Sequence, residues 1–188
     1  MAYNLKDVFY LETQATIAAG TANGGSAQLD LSSYVDMPRG RAKGTGLAIY
    51  KAHFITSQPG NGEPIDDAEA GSFRAGLVAG AGLGDLDTGG LNIASSFMGQ
   101  FSSLVVSIYD FYGPKSMVAN GSTTPAMYND ILMPSIEVPY VVVRDNVCLV
   151  YDVGDQMTSA TELTVRLEVA EVSLDQATLN QLLRTQTV

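Results

Sequence analysis

Strict alternation of apolar and polar residues near the C-terminal end constrains the fold of this chain most strongly. Between Leu163 and Val169, every odd-numbered residue is Leu or Val, and every even-numbered residue is Thr, Arg or Glu. Successive side chains of a β-strand point to opposite faces. The pattern therefore predicts a strand with one face in a core and the other face in solvent.

Further runs of β-branched and aromatic residues extend this prediction along the chain. In the segment 46–55 both alternating sets are partly apolar, which favours a central or interface strand. The segment 140–151 resembles a hairpin with its turn at 144–146. Pro134 and Pro139 favour an edge or bulged strand before it. The remaining strand-like runs cover residues 27–31, 104–109, 138–143 and 147–153.

The C-terminal end changes from a period of two to a helical period. Leu179, Leu182 and Leu183 form an apolar stripe at helical spacing. Ser173 followed by Gln176 matches a capping box. We therefore expect a short helix whose stripe docks either on its own domain or on a neighbouring subunit.

About eight strands, short turns and one helix predict an all-β fold, a two-sheet sandwich arranged as a single jelly roll. At 188 residues the chain suits one domain. We expect an N-terminal arm or first strand at residues 1–26 and the sandwich at 27–172. The sandwich includes a loop region rich in Gly, Ala and Asp at 58–100, and the helix and tail follow at 173–188.

The composition excludes several classes of function. The chain has one histidine, one cysteine and no tryptophan, and only 16% of its residues are charged. Zinc sites and catalysis by His or Cys clusters need several such side chains, so we expect no metal, no cofactor and no enzymatic activity. A net charge of −10 without a basic arm argues against direct nucleic-acid binding. No stretch approaches the roughly 20 apolar residues of a membrane-spanning helix.

Two acidic motifs are the nearest approach to a reactive site. Asp87 begins a D-T-G tripeptide, which marks aspartic peptidases, and one copy per chain would require a homodimer. It follows a Gly-rich stretch instead of an apolar strand, which favours a surface loop. The carboxylates of Glu63, Asp66, Asp67 and Glu69 can bind calcium weakly, although a solvated acidic loop is commoner.

Small, uncharged residues suit contact with other protein subunits. One short loop carries three cations at alternate positions, and these can pair with acids on a neighbour. The helical stripe offers an apolar contact as well. The candidate inter-subunit contacts are Arg39, Arg41, Lys43, Glu63, Asp66, Leu179, Leu182 and Leu183.

In its strand-like runs and its uncharged composition, the chain resembles the single jelly-roll capsid proteins of icosahedral viruses. The resemblance rests on the runs 147–152 and 164–168 and covers roughly residues 27–172. It implies a structural shell subunit in the virion, made in the host cytoplasm, with copies of itself and other capsid proteins as partners. Residues 1–26 contain Lys6 as their only cation. The chain is therefore most similar to shells that lie over an internal membrane or an inner protein layer, as in tailless viruses of bacteria and archaea.

Two other functions stay open. A carbohydrate- or host-receptor-binding β-sandwich would use some of the nine tyrosines, because tyrosine is enriched at binding surfaces. A homodimeric aspartic peptidase would act through Asp87.

Overall fold

The computed structural model describes residues 8–36, 43–65, 69–79, 104–114 and 127–186. Within these ranges nine strands form two antiparallel sheets, and one helix follows the last strand. The strands are β1 (Phe9–Ile17), β2 (Gly25–Asp30), β3 (Lys43–Ser57), β4 (Ser72–Ala79), β5 (Val105–Tyr112), β6 (Met127–Leu132), β7 (Tyr140–Val142), β8 (Asn146–Asp155) and β9 (Thr161–Asp175), and the helix α1 is Gln176–Thr185.

Nested strand pairing makes the sandwich a jelly roll. The first sheet has the order β1-β9-β3-β7 and the second sheet has the order β2-β8-β4-β5-β6. The first strand therefore pairs with the last and the second with the last but one, while β3 pairs with β7 and β4 with β5. Such a chain is one long hairpin rolled across two sheets, with β6 added at an edge. The predicted all-β sandwich and jelly roll are confirmed.

The inner faces of the two sheets supply the core. The four apolar residues predicted to share one face of β9 are completely buried, whereas Arg166 on the opposite face is exposed. They belong to one cluster with Leu77, Phe111 and Leu149 of the second sheet. Burying a side chain of this size stabilises a fold by about 1.5–3 kcal/mol, so the alternation in β9 reflects its place between solvent and core. Cys148 is buried as well, as its apolar neighbours indicate.

Strand β3 is central, as its two apolar faces predict. It pairs with β9 along its length and with β7 over three residues. Its register with β9 shifts between Ile49 and Lys51, which marks a β-bulge. Before the bulge Leu47 and Ile49 face the core, and after it Ala52 does. The side chains of Lys51 and His53 consequently lie on the outer face of the first sheet.

The predicted hairpin over residues 140–151 is wrong. Strand β7 pairs with β3 in the first sheet, whereas β8 pairs with β2 and β4 in the second. The turn at 143–145 therefore carries the chain from one sheet to the other. The local pattern of two apolar runs around a polar turn suits either arrangement, and only the partners of each strand distinguish them.

The helix starts later than the capping-box pattern predicts. Ser173 pairs with Thr45 in the ladder between β9 and β3, and this ladder continues to Asp175. The N-cap is Asp175, whose carboxylate accepts a hydrogen bond from the backbone N–H of Thr178 at 2.7 Å. Ser173 therefore lies within strand β9 and does not cap the helix. In the described part of the chain, no helix has the length and apolarity needed to cross a membrane.

The N-cap predicts a pH-dependent contribution to stability. The bond from Thr178 lowers the pKa of Asp175 below its ordinary value of 3.8. A lowered folded-state pKa means that the cap stabilises the fold above the unfolded value and loses this contribution as pH falls through the folded value. Asp175→Ala should therefore reduce the melting temperature more at about pH 7 than at about pH 2, and Asp175→Asn, which keeps a cap acceptor, should reduce it less. Thermal unfolding followed by circular dichroism measures both, and equal losses for Asp175→Ala at the two pH values would contradict this assignment.

Candidate functional site

The outer face of the first sheet is divided into a covered half and an open half. Helix α1 covers one half with Leu179, which is 2% exposed, and with the partly buried Leu182 and Leu183. These side chains pack on a buried cluster formed by Ala48, Tyr50, Val141, Val143, Ala170, Val172 and Leu174. The helical stripe therefore lies on its own domain, and a role between subunits stays a prediction.

Gln186 ties the end of the helix to the sheet. Its side-chain nitrogen donates a hydrogen bond to the carbonyl of Val141 at 2.6 Å, and its side-chain oxygen accepts one from the N–H of Val143 at 3.1 Å. Arg144 donates to the Gln186 carbonyl at 2.9 Å. Because these bonds are buried or partly buried, the helix is a fixed cover over its half of the face.

A groove of about 630 Å³ runs from the open half to strand β6 of the second sheet, past the part of β3 that does not pair with β7. Its walls include Tyr10 of β1, Arg166 of β9, Ile55 of β3 and Tyr128 of β6. A second groove of about 310 Å³ adjoins it and shares Lys51, Met133 and Glu168 with the first. The bulge in β3 places Lys51 outward, so the bulge helps to shape both grooves.

Stacked aromatic rings form the floor of the larger groove. The rings of Phe54 and Tyr109 come from opposite sheets and stack with their centres 5.0 Å apart and their planes 4° from parallel. Tyr128 contacts both Tyr109 and Phe111 with tilted rings at 6.3 Å and 5.4 Å, and its own side chain is exposed. Burial raises the pKa of Tyr109. The groove therefore has a rigid, apolar floor.

Charged side chains beside the groove form pairs between neighbouring strands. The Nε2 atom of His53 donates to Oε1 of Glu168 at 2.8 Å, which gives the single histidine a structural role. Arg166 lies 3.1 Å from a carboxylate oxygen of Glu12, and its guanidinium lies 5.9 Å from the ring centre of Tyr10. Exposed pairs of this kind stabilise a fold little. Their effect is to leave this face with both signs of charge.

Tyr50 places an unused hydrogen-bond donor at the smaller groove. Its side chain lines the groove and is 5% exposed. The hydroxyl is buried and has no hydrogen-bond partner among the described residues. Burial also raises the pKa of Tyr50. An unpaired buried hydroxyl costs roughly 1–3 kcal/mol, and because this oxygen is closed to solvent, the folded subunit carries that cost itself.

A short turn that forms part of the wall of the smaller groove exposes two large apolar side chains. Ile136 is 75% exposed and Val138 is 74% exposed. The turn is closed by two hydrogen bonds between Ser135 and Val138: the Ser135 N–H donates to the Val138 carbonyl at 3.2 Å, and the Val138 N–H donates to the Ser135 hydroxyl at 3.1 Å. Apolar residues concentrated on one surface mark an interaction site.

The sequence interpretation missed this turn and the two grooves. A signal was present, since Ile136 and Val138 lie between Pro134 and Pro139. An apolar pair enclosed by two prolines cannot continue a central strand, so exposure of the pair follows from the prolines. The grooves left no such signal, because their walls come from strands that are distant in sequence.

Some predicted contact residues lie apart from the grooves and others fall outside the described ranges. Lys43 is exposed at the start of β3, opposite Asp175. Glu63 is exposed in the turn after β3, where its carboxylate accepts a hydrogen bond from the Asn61 side chain at 2.9 Å. The sequence-predicted residues outside the described part are Arg39, Arg41, Asp66, Asp67 and Asp87. Pairing between the basic loop and Glu63 or Asp66 of a neighbouring subunit stays a prediction.

Glu69 is not part of a solvated acidic loop. It is completely buried, and its carboxylate accepts three backbone hydrogen bonds, from Gly71 and Thr158 at 2.7 Å and from Ser159 at 3.0 Å. Glu69 thus joins the segment before β4 to the loop between β8 and β9. Two of its donors lie about 90 residues later in the chain, so no local pattern signals this role. In the ranges that the structure describes, no group of three His, Cys, Asp or Glu residues is arranged to hold a metal ion.

No protein-family model matches this chain, and no curated protein matches it. Two solved structures that it resembles are of VP1 from trichodysplasia spinulosa-associated polyomavirus, one in complex with GM1 oligosaccharide and one with sialylated precision glycooligomers. The first is 8% identical, with 92% of this chain and 97% of that chain covered and a TM-score of 0.46. The second is also 8% identical, with 92% and 98% covered and a TM-score of 0.42. At this distance the likeness transfers no function and gives no support to a bacterial or archaeal host, and the jelly roll is assigned from strand order.

The buried carboxylate of Glu69 predicts a large effect of a small substitution. Glu69→Gln replaces one acceptor oxygen with an NH₂ group that faces a backbone N–H, so the free energy of unfolding should fall by about 1.5–3 kcal/mol. Glu63→Gln makes the same change at an exposed position and should alter it by less than about 0.5 kcal/mol. Urea unfolding of both variants measures the difference, and equal stabilities would show that the three backbone bonds contribute little.

Proposed function

We propose that this chain is a structural capsid subunit that assembles with copies of itself into an icosahedral shell. The jelly roll is used by viral capsid proteins, but also by lectins and cupins, so the fold alone does not choose a function. The observation that carries the proposal is the open half of the first sheet, where the grooves lie beside the exposed side chains of Ile136 and Val138. Exposed apolar side chains of this kind mark a surface that a partner covers, and a shell subunit is covered by its neighbours.

The proposed mechanism is geometric and involves no catalysis. Two packed sheets and a tied-down helix give each subunit rigid faces that do not change shape on contact. Symmetry then repeats the same weak contact around the shell. Because many contacts act together, each one can be modest and the whole assembly is still stable.

The location and the further partners of the subunit are inferred from the resemblance to capsid proteins and from the net charge. The subunit would be made in the host cytoplasm and reside in the virion, with other capsid proteins as further partners. Twenty acidic residues against ten basic ones disfavour direct packaging of nucleic acid. An internal membrane or an inner protein layer is therefore proposed beneath the shell.

Carbohydrate or host-receptor binding is the second candidate function. The exposed rings of Tyr10 and Tyr128 lie at a groove that also contains Asp130 and Arg166. Aromatic rings beside charged groups suit a sugar, whose two faces are apolar and whose edges are polar. This function does not require assembly, which distinguishes it from the first.

Assembly of the purified protein tests the proposal. Each subunit carries a net charge of −10, so like-charge repulsion opposes association and salt should weaken this repulsion. Sedimentation velocity and negative-stain images should show oligomers or particles that increase when the salt concentration is raised from about 0.05 M to about 0.5 M. A protein that stays monomeric at high concentration and binds a glycan on an array would overturn the capsid function in favour of the second candidate.

Charge reversal tests the predicted basic contact. Arg39→Glu or Arg41→Glu should raise the protein concentration needed for assembly about tenfold, or ~1.4 kcal/mol, if these cations pair with acids of a neighbour. Arg184→Glu makes the same change in net charge at an exposed position near the end of α1 and serves as the control. Equal effects at all three positions would mean that net charge alone is responsible.

A further inference from the structure

We propose that a second copy of this chain docks on the open half of the first sheet, with the turn at residues 135–138 of one copy entering the smaller groove of the other. This inference rests on the proposed capsid function and names the surface through which two subunits meet. It assigns Ile136 and Glu137 as the entering residues and Lys51, beside the apolar wall of the groove, as the receiving one.

The shapes of the turn and the groove suit this contact. The turn is closed by its own hydrogen bonds, so it presents Ile136 in a fixed conformation without help from a partner. The groove of about 310 Å³ is lined by apolar side chains such as Val8 and Met133. A cavity of about 150 Å³ already holds a benzene molecule, so this groove has room for an aliphatic side chain and its backbone. Ser135 and Ile136 of the turn also form part of the wall of their own groove. A two-fold contact would therefore pack the two turns side by side, each against the groove of the other copy, as a self-complementary contact requires.

Charge complementarity favours a second copy of this chain as the occupant. Glu137 is the exposed acid at the tip of the turn, between the two exposed apolar residues. Lys51 is exposed at the junction of the two grooves and makes no ion pair among the described residues. Docking brings Glu137 of one copy to Lys51 of the other. The net negative charge makes two copies of the chain repel each other. The positive charges of Lys51 and Arg166 reduce this repulsion at the docking face.

Charge swapping in the full-length chain tests the contact. Lys51→Glu and Glu137→Lys should each weaken association at least about tenfold, because each places like charges together. The double variant Lys51→Glu/Glu137→Lys should associate like the original chain. An equimolar mixture of the two single variants should also associate, since the introduced glutamate of one copy then meets the introduced lysine of the other, and this rescue cannot arise within one chain. Glu171→Lys makes the same change in net charge as Glu137→Lys at an exposed position of β9 away from the grooves, and it should not weaken association.

Sedimentation velocity of each sample distinguishes the outcomes. If the original chain associates and neither single variant is weaker, or if neither the double variant nor the mixture regains association, the docking surface is wrong while the capsid function stands. If the original chain never associates, the capsid function itself fails.

Nitration of tyrosines, mapped by mass spectrometry, examines the same surface independently. Tyr10 and Tyr128 are exposed at the larger groove in the isolated subunit. They should react when the subunit is dissociated and become protected on assembly. Protection in the dissociated subunit would mean that the chain covers this face itself, and protection by an added glycan with no effect on assembly would make a sugar the occupant. Either result overturns the proposal.

Discussion

The long antiparallel pairing of β3 with β9 is the constraint on which the rest of this structure depends. Both strands are fifteen residues long, and they lie at the centre of the first sheet. Their inner faces supply much of the core, and their outer faces carry both the bed of helix α1 and the wall of the grooves. The bulge between Ile49 and Lys51 then sets which β3 side chains face outward. A change in this pairing would move the core, the helix and the candidate interface together.

The helix and the open half of the sheet are two outcomes of one geometric problem. A sandwich has two outer faces, and apolar residues there must be covered by the chain itself or by something else. Leu179 covers one half of the first sheet, where the side chains of Ala170 and Val172 in β9 point outward. The other half carries mixed charges with exposed tyrosines, which water tolerates and a partner can cover. This division explains how one strand can be both a core element and part of a docking surface.

Much of the fold was accessible from the sequence, because the signal for a strand is local. The alternation from Leu163 to Val169 and the two apolar faces of β3 each predict their environment correctly. The burial of Cys148 also follows from its apolar neighbours. By contrast, the hairpin at 140–151 failed because a turn within a sheet and a crossing between sheets look alike locally. The N-cap at Ser173 failed because a distant strand, β3, competes for that residue.

What the sequence alone determined is therefore the all-β character, the core-facing residues of the strands and the poverty of groups for His- or Cys-based chemistry. The tertiary structure decided the nested strand order, the burial of Glu69 beneath donors from the far end of the chain, and the meeting of Tyr50, Lys51 and Ile136 at one groove. The physical reason is the separation in sequence of the residues involved. The period of a strand depends on adjacent residues, whereas a groove or a buried carboxylate depends on which distant segments pack together.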